Sequence, residues 1–297
     1  MIIILKLSML IISFVFPQTE YPSINIFSSS EYLSRAGSGY LKPSSISLKN
    51  NPAAINDFTL FSTSFINFKN GISSQSLGLT FPFKRRYIST ALVNVNYGVF
   101  KSYDEKKNYL GTYTSSDNWL IISCADKIKK LPIRIGLSFQ SFISSLSSYQ
   151  IIDSFISMGF KLSLEEIKTE LGLSHHQVDL FRKDRKWDIE PNTVFSISKT
   201  LVYLPLNLFS DFVFNNYSNT FEAFGGGIFN LSNNLELHIG TSSRKGNQNF
   251  NNRLLNSILG SSGFGLTYTK MPYLINFGSY IYGNGFIVSG IQLDIKI

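Results

Sequence analysis

Three histidines and one cysteine are the residues of this sequence best suited to catalysis or metal binding. His175 and His176 are adjacent in "LSHHQVD", and neighbours on a β-strand point to opposite faces, so this pair cannot easily hold one metal ion. His238 stands alone, and a Ser-His-Asp site is recognised by geometry, not by the abundance of serine. Cys124 lies in the apolar run "WLIISCAD" and is interpreted as a small buried or lipid-facing residue. The sequence therefore predicts no catalytic residue, no metal site and no cofactor. A hydrolase would need a rim histidine beside an acid and a serine.

Two glycine-rich stretches resemble phosphate-binding loops only superficially. They are "FGGGIF" (224–229) and "GSSGFG" (260–265), and neither opens a helix in a βαβ unit. Glycine within a strand is typical of tight packing or bending.

The elements that carry these residues have a period of two. In "LPIRIGLSFQSF" (131–142), apolar residues alternate with Arg134, Gly136, Ser138 and Gln140. Successive side chains of a strand point to opposite faces, so each segment has an apolar face and a polar or small one. About fourteen such segments follow one another: 58–68, 72–83, 87–98, 117–125, 132–142, 150–161, 166–176, 193–201, 205–215, 220–230, 233–242, 262–270, 273–281 and 285–297.

The predicted fold class is all-β: a transmembrane antiparallel β-barrel of about 14 strands with an N-terminal plug segment. Many segments have the 9–11 residues that a tilted membrane-spanning strand needs, and the count is even. The even-numbered connections are short, whereas the long ones, near 99–116, 177–192 and 243–261, are all odd-numbered and so lie on one rim. Short periplasmic turns and long outer loops are the rule in outer-membrane barrels. Tyr87, Tyr97, Trp119 and Tyr203 are predicted to form the aromatic girdles.

Composition favours the barrel over a soluble β-sandwich, which is the alternative. Charged residues make up 15% of the 297 residues, and aromatic residues 14%, whereas soluble domains have about 25% charged residues. The strands are also longer than the 5–6 residues usual elsewhere. The formal net charge of +8 is concentrated in "KRR" (84–86), "DKIKK" (126–130) and "RKDRKW" (182–187). No nucleic-acid partner is predicted, and the last cluster is a candidate contact for lipopolysaccharide.

The N-terminus predicts export to the bacterial outer membrane. Residues 1–18 read as a signal peptide, since the apolar run ends near Phe16 and is broken by Pro17. An uncleaved anchor helix is the alternative. Residues 58–297 would form the barrel, which makes outer-membrane lipid a partner.

Residues 19–57 do not alternate and are interpreted as the plug segment. The stretch is rich in Ser and Gly and ends in "NNPAAIND". Pro52 fixes its own φ and disfavours the helical conformation at Asn51, whose side chain can hydrogen-bond neighbouring backbone. Ala53 is small enough to press against a barrel wall. Irregular backbone is tolerated at membrane depth when protein surrounds it, although a simple linker turn is equally consistent with the residues.

A family resemblance favours the plug. "NPAAIND" followed at once by strands, together with "VNYGVFKSYDEKKNYLGTYTSSDNWLIIS" and "IRIGLSFQSFISSLSSYQ", resembles the PorV/PorQ family, the PorQ branch in particular. That family is related to the FadL-type channels for hydrophobic compounds. The resemblance covers residues 30–160 and implies that Asn51, Pro52 and Ala53 belong to the plug. The terminal Ile297 departs from the aromatic residue on which such barrels commonly end.

The resemblance implies a non-enzymatic accessory of type IX protein secretion and surface attachment. Subunits of the translocon or of the attachment complex, or cargo, would bind the rim loops 99–116, 177–192 and 243–261. The alternative is a FadL-like conduit, in which the plug moves to admit a hydrophobic small molecule that leaves sideways into lipid.

Overall fold

The chain folds into a closed antiparallel barrel of fourteen strands in sequence order. The computed structural model describes residues 27–46, 48–129, 131–146, 149–180, 189–244, 260–283 and 285–297. β1 pairs with β2 and also with β14, which closes the sheet. The strands are β1 Leu60–Asn67, β2 Ser73–Phe83, β3 Arg86–Tyr103, β4 Tyr109–Lys127, β5 Ile133–Leu146, β6 Tyr149–Leu164, β7 Thr169–Asp179, β8 Asn192–Thr200, β9 Leu206–Asn215, β10 Phe221–Ser232, β11 Leu235–Ser242, β12 Ser262–Lys270, β13 Tyr273–Ile281 and β14 Ile287–Lys296.

The alternation of residue types sets the two faces of the wall. On β5, Ile135, Leu137 and Phe139 are 47%, 52% and 39% exposed, whereas Ser138 and Gln140 on the opposite face are buried. The apolar face therefore points outward and the polar face points into the lumen. The same holds around the barrel, since outward residues such as Leu77, Leu92, Ile239, Phe277 and Ile291 are all exposed. An exposed apolar band on a closed sheet is the surface of a membrane-spanning barrel.

The two rims differ as the sequence predicts. Both barrel termini and the connections 84–85, 128–132, 165–168, 201–205, 233–234 and 271–272 lie on one rim. Short turns of this kind mark the periplasmic rim, so the opposite rim is extracellular. Among the described residues, no helix is long and apolar enough to cross a membrane.

The connection 99–116, predicted as a loop, is instead a β-hairpin. β3 continues to Tyr103 and β4 begins at Tyr109, and the two strands pair with each other beyond the ends of their neighbours. Phe100 stacks on Tyr113 with ring centroids 5.4 Å apart. The hairpin therefore projects from the extracellular rim. The predicted loops 177–192 and 243–261 fall largely on 181–188 and 245–259, outside the described residues, as do the cluster 182–187 and the signal peptide 1–18.

Candidate functional site

Residues 27–46 and 48–57, here called the inner segment, lie inside the lumen. The segment contains one short helix, α1 (Ser30–Ser34), whose first turn is capped by the Ser29 hydroxyl accepting from the backbone N–H of Tyr32. The Ser30 hydroxyl donates to Asn276 Oδ1 on β13 at 2.8 Å, and its backbone N–H donates to Ser64 Oγ on β1 at 3.0 Å. Both partners are inward-facing wall residues, so α1 is bound directly to the wall.

Glycines on the inward face of the wall make room for this segment. A Cβ built on Gly136 would lie 2.4 Å from Ala53 N, and one built on Gly263 would lie 2.6 Å from Ala36 N. Wall glycines whose Cβ would come within 3.0 Å of inner-segment atoms are called here the glycine belt. They are Gly78, Gly136, Gly159, Gly172, Gly226, Gly240, Gly263, Gly265 and Gly278. Several are directly paired across strands, as Gly226 with Gly240 and Gly240 with Gly263. The wall is therefore shaped to the backbone of the inner segment.

Asp211 on β9 holds the bend that follows α1. The backbone has positive φ at Ala36 (53°), Gly37 (86°) and Gly39 (87°), a left-handed conformation that glycine adopts without strain. The bend directs two backbone N–H groups at the carboxylate: Gly39 N donates at 2.6 Å and Tyr40 N at 3.3 Å. Hydrogen bonds to an ionised acceptor are among the stronger ones in proteins. This buried carboxylate therefore anchors the first half of the segment.

Asn51, Pro52 and Ala53 anchor the second half. Asn51 Nδ2 donates to the backbone oxygens of Phe160 at 3.0 Å and Leu173 at 3.3 Å, on β6 and β7. Its Oδ1 accepts from Ala53 N at 2.9 Å, which is the local turn expected of an asparagine before proline. Asn51 and Ala53 are buried. The structure therefore places the three predicted site residues together against the wall, facing Gly136 and Gly159.

The extracellular half of the lumen holds three apolar clusters. Inward side chains of β3–β6, namely Val93, Val95, Trp119, Phe142 and Phe155, form one cluster with Ile46 and Leu48 of the inner segment. Phe142 lies 4.5 Å from Trp119 between ring centroids. Two further clusters line the other walls: Phe27, Tyr32 and Leu33 with Ile66, Tyr280 and Val288, and Tyr40 with Val194, Val213 and Phe224. A barrel interior is usually polar, so this half departs from the porin pattern.

The aromatic girdle prediction is wrong for two of its residues. Trp119 faces the lumen and is 1% exposed. Tyr97 packs against the same cluster and its hydroxyl donates to Asp117 Oδ2 at 2.8 Å. Both rings occupy inward positions because the lumen at this height is filled with apolar groups.

The periplasmic half of the lumen is polar, and two of its cavities share a charged lining. One of about 430 Å³ lies beside Lys42 and Pro43, and one of about 460 Å³ lies between Pro43 and Asp57. Both are lined by Lys161 and Glu170, which form an ion pair at 2.6 Å. The apolar clusters thus lie in one half of the lumen and this ion pair in the other.

His238 lies between a serine and an acid, the constellation that a hydrolase would require. Its Nδ1 is 3.3 Å from Ser34 Oγ and its Nε2 is 3.4 Å from Glu236 Oε2. However, the Ser34 hydroxyl donates to Glu31 O at 2.7 Å, and Thr267 Oγ1 also lies 3.1 Å from the Nε2 atom. Because Ser34 is 0% exposed, no ester carbonyl can reach it. This network joins α1 to the wall.

The remaining candidates for chemistry are separated from one another. His175 Nδ1 lies 3.0 Å from Thr193 Oγ1 on β8, whereas His176 is buried with its Nε2 2.8 Å from Ser174 Oγ. Cys124 is a free, half-buried thiol on β4. The described residues contain no group of three or more metal-ligating side chains.

A β-bulge between β6 and β7 interrupts the wall beside the apolar clusters of the lumen. Between the pairs Ile156–Val178 and Met158–His175, β7 has one residue more than β6. Gln177 has a φ of 62°, and its backbone N–H donates to the Ser157 hydroxyl at 3.1 Å. The β-bulge therefore weakens backbone pairing at this point.

Sequence reasoning missed Asp211, the glycine belt and the apolar cluster, although two of these left a signal. The runs "ALV" (91–93) and "WLII" (119–122) are apolar at consecutive positions, which indicates burial on both faces of a strand. The belt glycines fall at inward positions of the predicted strands.

Comparisons with known proteins agree on the fold. No protein-family model matches this sequence, and no curated protein matches it significantly. Among solved structures, the Pseudomonas putida toluene transporter TodX has a TM-score of 0.60 at 10% identity, covering 95% of this chain and 98% of that chain. The Ralstonia pickettii toluene transporter TbuX has a TM-score of 0.58 at 11% identity, covering 91% and 98%. A TodX mutant described as a monoaromatic hydrocarbon channel has a TM-score of 0.52 at 12% identity, covering 90% and 96%. These structures support the FadL-type part of the predicted resemblance at the level of fold and none of them points to PorV/PorQ. With its apolar exterior, the chain is a fourteen-stranded β-barrel of the bacterial outer membrane.

Proposed function

We propose that this protein is an outer-membrane channel for hydrophobic small molecules, in which the inner segment acts as the plug. The observation that carries the proposal is the set of three apolar clusters in the extracellular half of the lumen. A pore for polar solutes gains nothing from Val93, Trp119 and Phe142 on its inner wall, whereas an apolar solute is transferred favourably into such surroundings. The shared fold with proteins described as toluene transporters supports the same class of solute.

The stretch 42–50 is the part of the plug that moves. Asp211 fixes the chain before it and Asn51 fixes the chain after it. Between these anchors, Ile46 and Leu48 fill the apolar cluster. Thr80 Oγ1 donates to Ser45 Oγ at 3.1 Å and Gln140 Nε2 donates to Leu48 O at 3.1 Å, and these bonds join the stretch to the wall. An apolar solute that displaces Ile46 and Leu48 replaces one set of apolar contacts with another.

A disulfide tether tests this proposal. In a Cys124→Ser background, Ser45→Cys and Thr80→Cys would join the moving stretch to β2, because the two hydroxyl oxygens are already 3.1 Å apart. Uptake of radiolabelled toluene would be measured in cells that lack other hydrocarbon channels. We expect the oxidised variant to lose channel-dependent uptake and the reduced variant to regain it.

The control tethers two wall strands and leaves the plug free. Ser123→Cys and Ser138→Cys replace hydroxyls 2.9 Å apart on β4 and β5, and this pair should transport toluene in both redox states. If the oxidised and reduced forms of the Ser45–Thr80 pair take up toluene equally, the plug does not move. If cells with the wild-type protein take up no more toluene than cells without any channel, the channel itself is refuted.

A second function, the secretion accessory implied by the PorV/PorQ resemblance, remains a prediction favoured by one observation. The projecting β3–β4 hairpin exposes Val99, Tyr103, Tyr109 and Leu110, which are 69%, 54%, 58% and 66% exposed. Exposed apolar side chains beyond the membrane are typical of a protein-binding surface. A pull-down from native membranes would test it: attachment-complex or translocon subunits that are retained by wild type and lost on deletion of 99–113 would support the accessory role.

A further inference from the structure

Three carboxamide side chains interrupt the apolar exterior of the barrel. Gln75 on β2, Asn94 on β3 and Asn118 on β4 occupy one outward row, in which Gln75 pairs with Asn94 and Asn94 with Asn118. In the other direction the same row continues through Phe65, Ile291, Phe277 and Leu266, which are all apolar. The carboxamides are therefore confined to one sector of the wall.

These amides lie at the depth where the outer leaflet becomes polar. The next outward row toward the extracellular rim is Ser73, Asn96 and Ser116, whereas the next row toward the periplasm is Leu77, Leu92 and Leu120. The amides thus sit at the border between the acyl chains and the headgroups of the outer leaflet.

The hydrogen bonds of the amides are incomplete. Asn94 Nδ2 donates to Asn118 Oδ1 at 2.7 Å. This bond leaves the Asn94 Oδ1 acceptor and the Asn118 Nδ2 donor without a partner among the described residues, and the Gln75 amide has none there either. Unpaired polar groups in contact with hydrocarbon are costly, so these atoms require a polar partner supplied by the membrane.

A groove in the outer surface of the wall begins at the same amides. It has a volume of about 700 Å³. Its outward side chains are the carboxamides at the upper end and, along its length, Phe65, Leu77, Leu92, Leu120 and Ile143 together with the hydroxyls of Thr63 and Ser141. The groove therefore offers a largely apolar surface for acyl chains directly below hydrogen-bonding groups.

We propose that this groove is a binding site for an outer-leaflet lipid with amide-linked hydroxyacyl chains, the chemistry of the lipid A portion of lipopolysaccharide. The amides require both a donor and an acceptor at the root of the chains. The ester linkages of a glycerophospholipid supply acceptors only, whereas an amide-linked 3-hydroxyacyl chain supplies N–H and O–H donors together with a carbonyl. The site continues the lipid-facing surface and does not depend on the molecule transported.

Retention of lipid A by the purified barrel tests the site. The protein would be placed in phosphatidylethanolamine nanodiscs doped with lipid A, transferred to mild detergent and examined by native mass spectrometry. We expect wild type to retain one lipid A molecule in preference to phosphatidylethanolamine. Asn94→Leu with Asn118→Leu keeps the groove apolar and removes both amides, and lipid A should then bind about tenfold more weakly, as expected from the loss of two hydrogen bonds.

The matched control is Thr90→Leu, which removes an outward polar group from the same strand outside the groove; it should retain lipid A as wild type does. Equal retention by wild type and the double variant would overturn the proposal. So would equal retention of phosphatidylethanolamine and lipid A by wild type, a comparison that needs no variant. A dimer of the barrel that carries no lipid A would assign the groove to a second copy of the chain.

Discussion

The glycine belt predicts that one added methyl group separates the wall from the inner segment. In Gly240→Ala, the new Cβ would lie 2.0 Å from the carbonyl oxygen of Arg35 and 2.8 Å from Arg35 Cα. Ordinary van der Waals contact begins near 3.4 Å, whereas the Arg35 oxygen would lie at 2.0 Å. This oxygen would therefore have to move away by about 1.4 Å, the difference between 3.4 Å and 2.0 Å. The atom that is struck belongs to backbone and cannot turn away as a flexible side chain would.

Neighbouring wall residues prevent Arg35 from retreating. Gly263 packs against Leu33 and Ala36, and Gly265 packs against Ser34, so the backbone on both sides of Arg35 is already in contact with β12. Overpacking of this kind costs about 1–3 kcal/mol. We therefore expect Gly240→Ala to lower the free energy of unfolding by about that amount, or to release the first half of the inner segment from the wall.

The control lies on the paired strand. Gly225, next to Gly226 on β10, has no atom closer than 4.0 Å to a built Cβ, so Gly225→Ala should change stability by less than about 0.5 kcal/mol. Urea unfolding from lipid vesicles, followed by tryptophan fluorescence, measures the first outcome, and limited proteolysis of residues 27–57 measures the second. If Gly240→Ala matches Gly225→Ala in both assays, the close fit between wall and segment is refuted.

Four further predictions follow from the same contacts. Asp211→Ala removes the acceptor of two buried backbone N–H groups and should destabilise the bound inner segment by about 1–3 kcal/mol for each group. The inner segment of this variant should therefore be cleaved by protease faster than that of the wild type. Asn51→Ala loses its bonds to β6 and β7 and should be destabilised by about 1–3 kcal/mol in urea unfolding; stability equal to wild type would mean that the second anchor is not a restraint. In a Trp187→Phe background, the fluorescence of the buried Trp119 should have a short emission wavelength and should change when toluene is added. Emission typical of an exposed tryptophan would contradict its apolar surroundings. Deletion of Gln177 should regularise the β6–β7 ladder and reduce toluene uptake. Leu231 is the extra residue of the β10–β11 bulge at the periplasmic rim, and its deletion should leave toluene uptake unchanged.

The period-two pattern predicts the wall well because lipid demands an apolar side chain at every second position. β12 and β13 begin and end where the sequence places them, at 262–270 and 273–281. The prediction fails where the strands leave the membrane. Beyond Asn96, outward positions carry Lys101, Thr112 and Thr114. The alternation stops there, although β3 and β4 continue to pair.

The interior could be predicted only in part, because its contacts join residues far apart in the sequence. Asn51, Pro52 and Ala53 could be singled out from local turn chemistry. Asp211 could not, since its partners are backbone groups 171 and 172 residues away. Trp119 is predicted in a girdle because it lies near the start of the predicted strand 117–125. A strand that is apolar on both faces gives no indication of which face meets lipid.

The two halves of the lumen determine how an apolar solute can leave the proposed channel. Below the apolar clusters, the path to the periplasm passes the Lys161–Glu170 ion pair, and an apolar solute there loses its favourable contacts without gaining any. The membrane offers the lower free energy. The bulge at Gln177 lies beside Phe155, a member of the largest apolar cluster. Release through β6 and β7 into the outer leaflet therefore requires fewer broken backbone bonds than release through a regular pair of strands, and the solute never meets the charged half of the lumen.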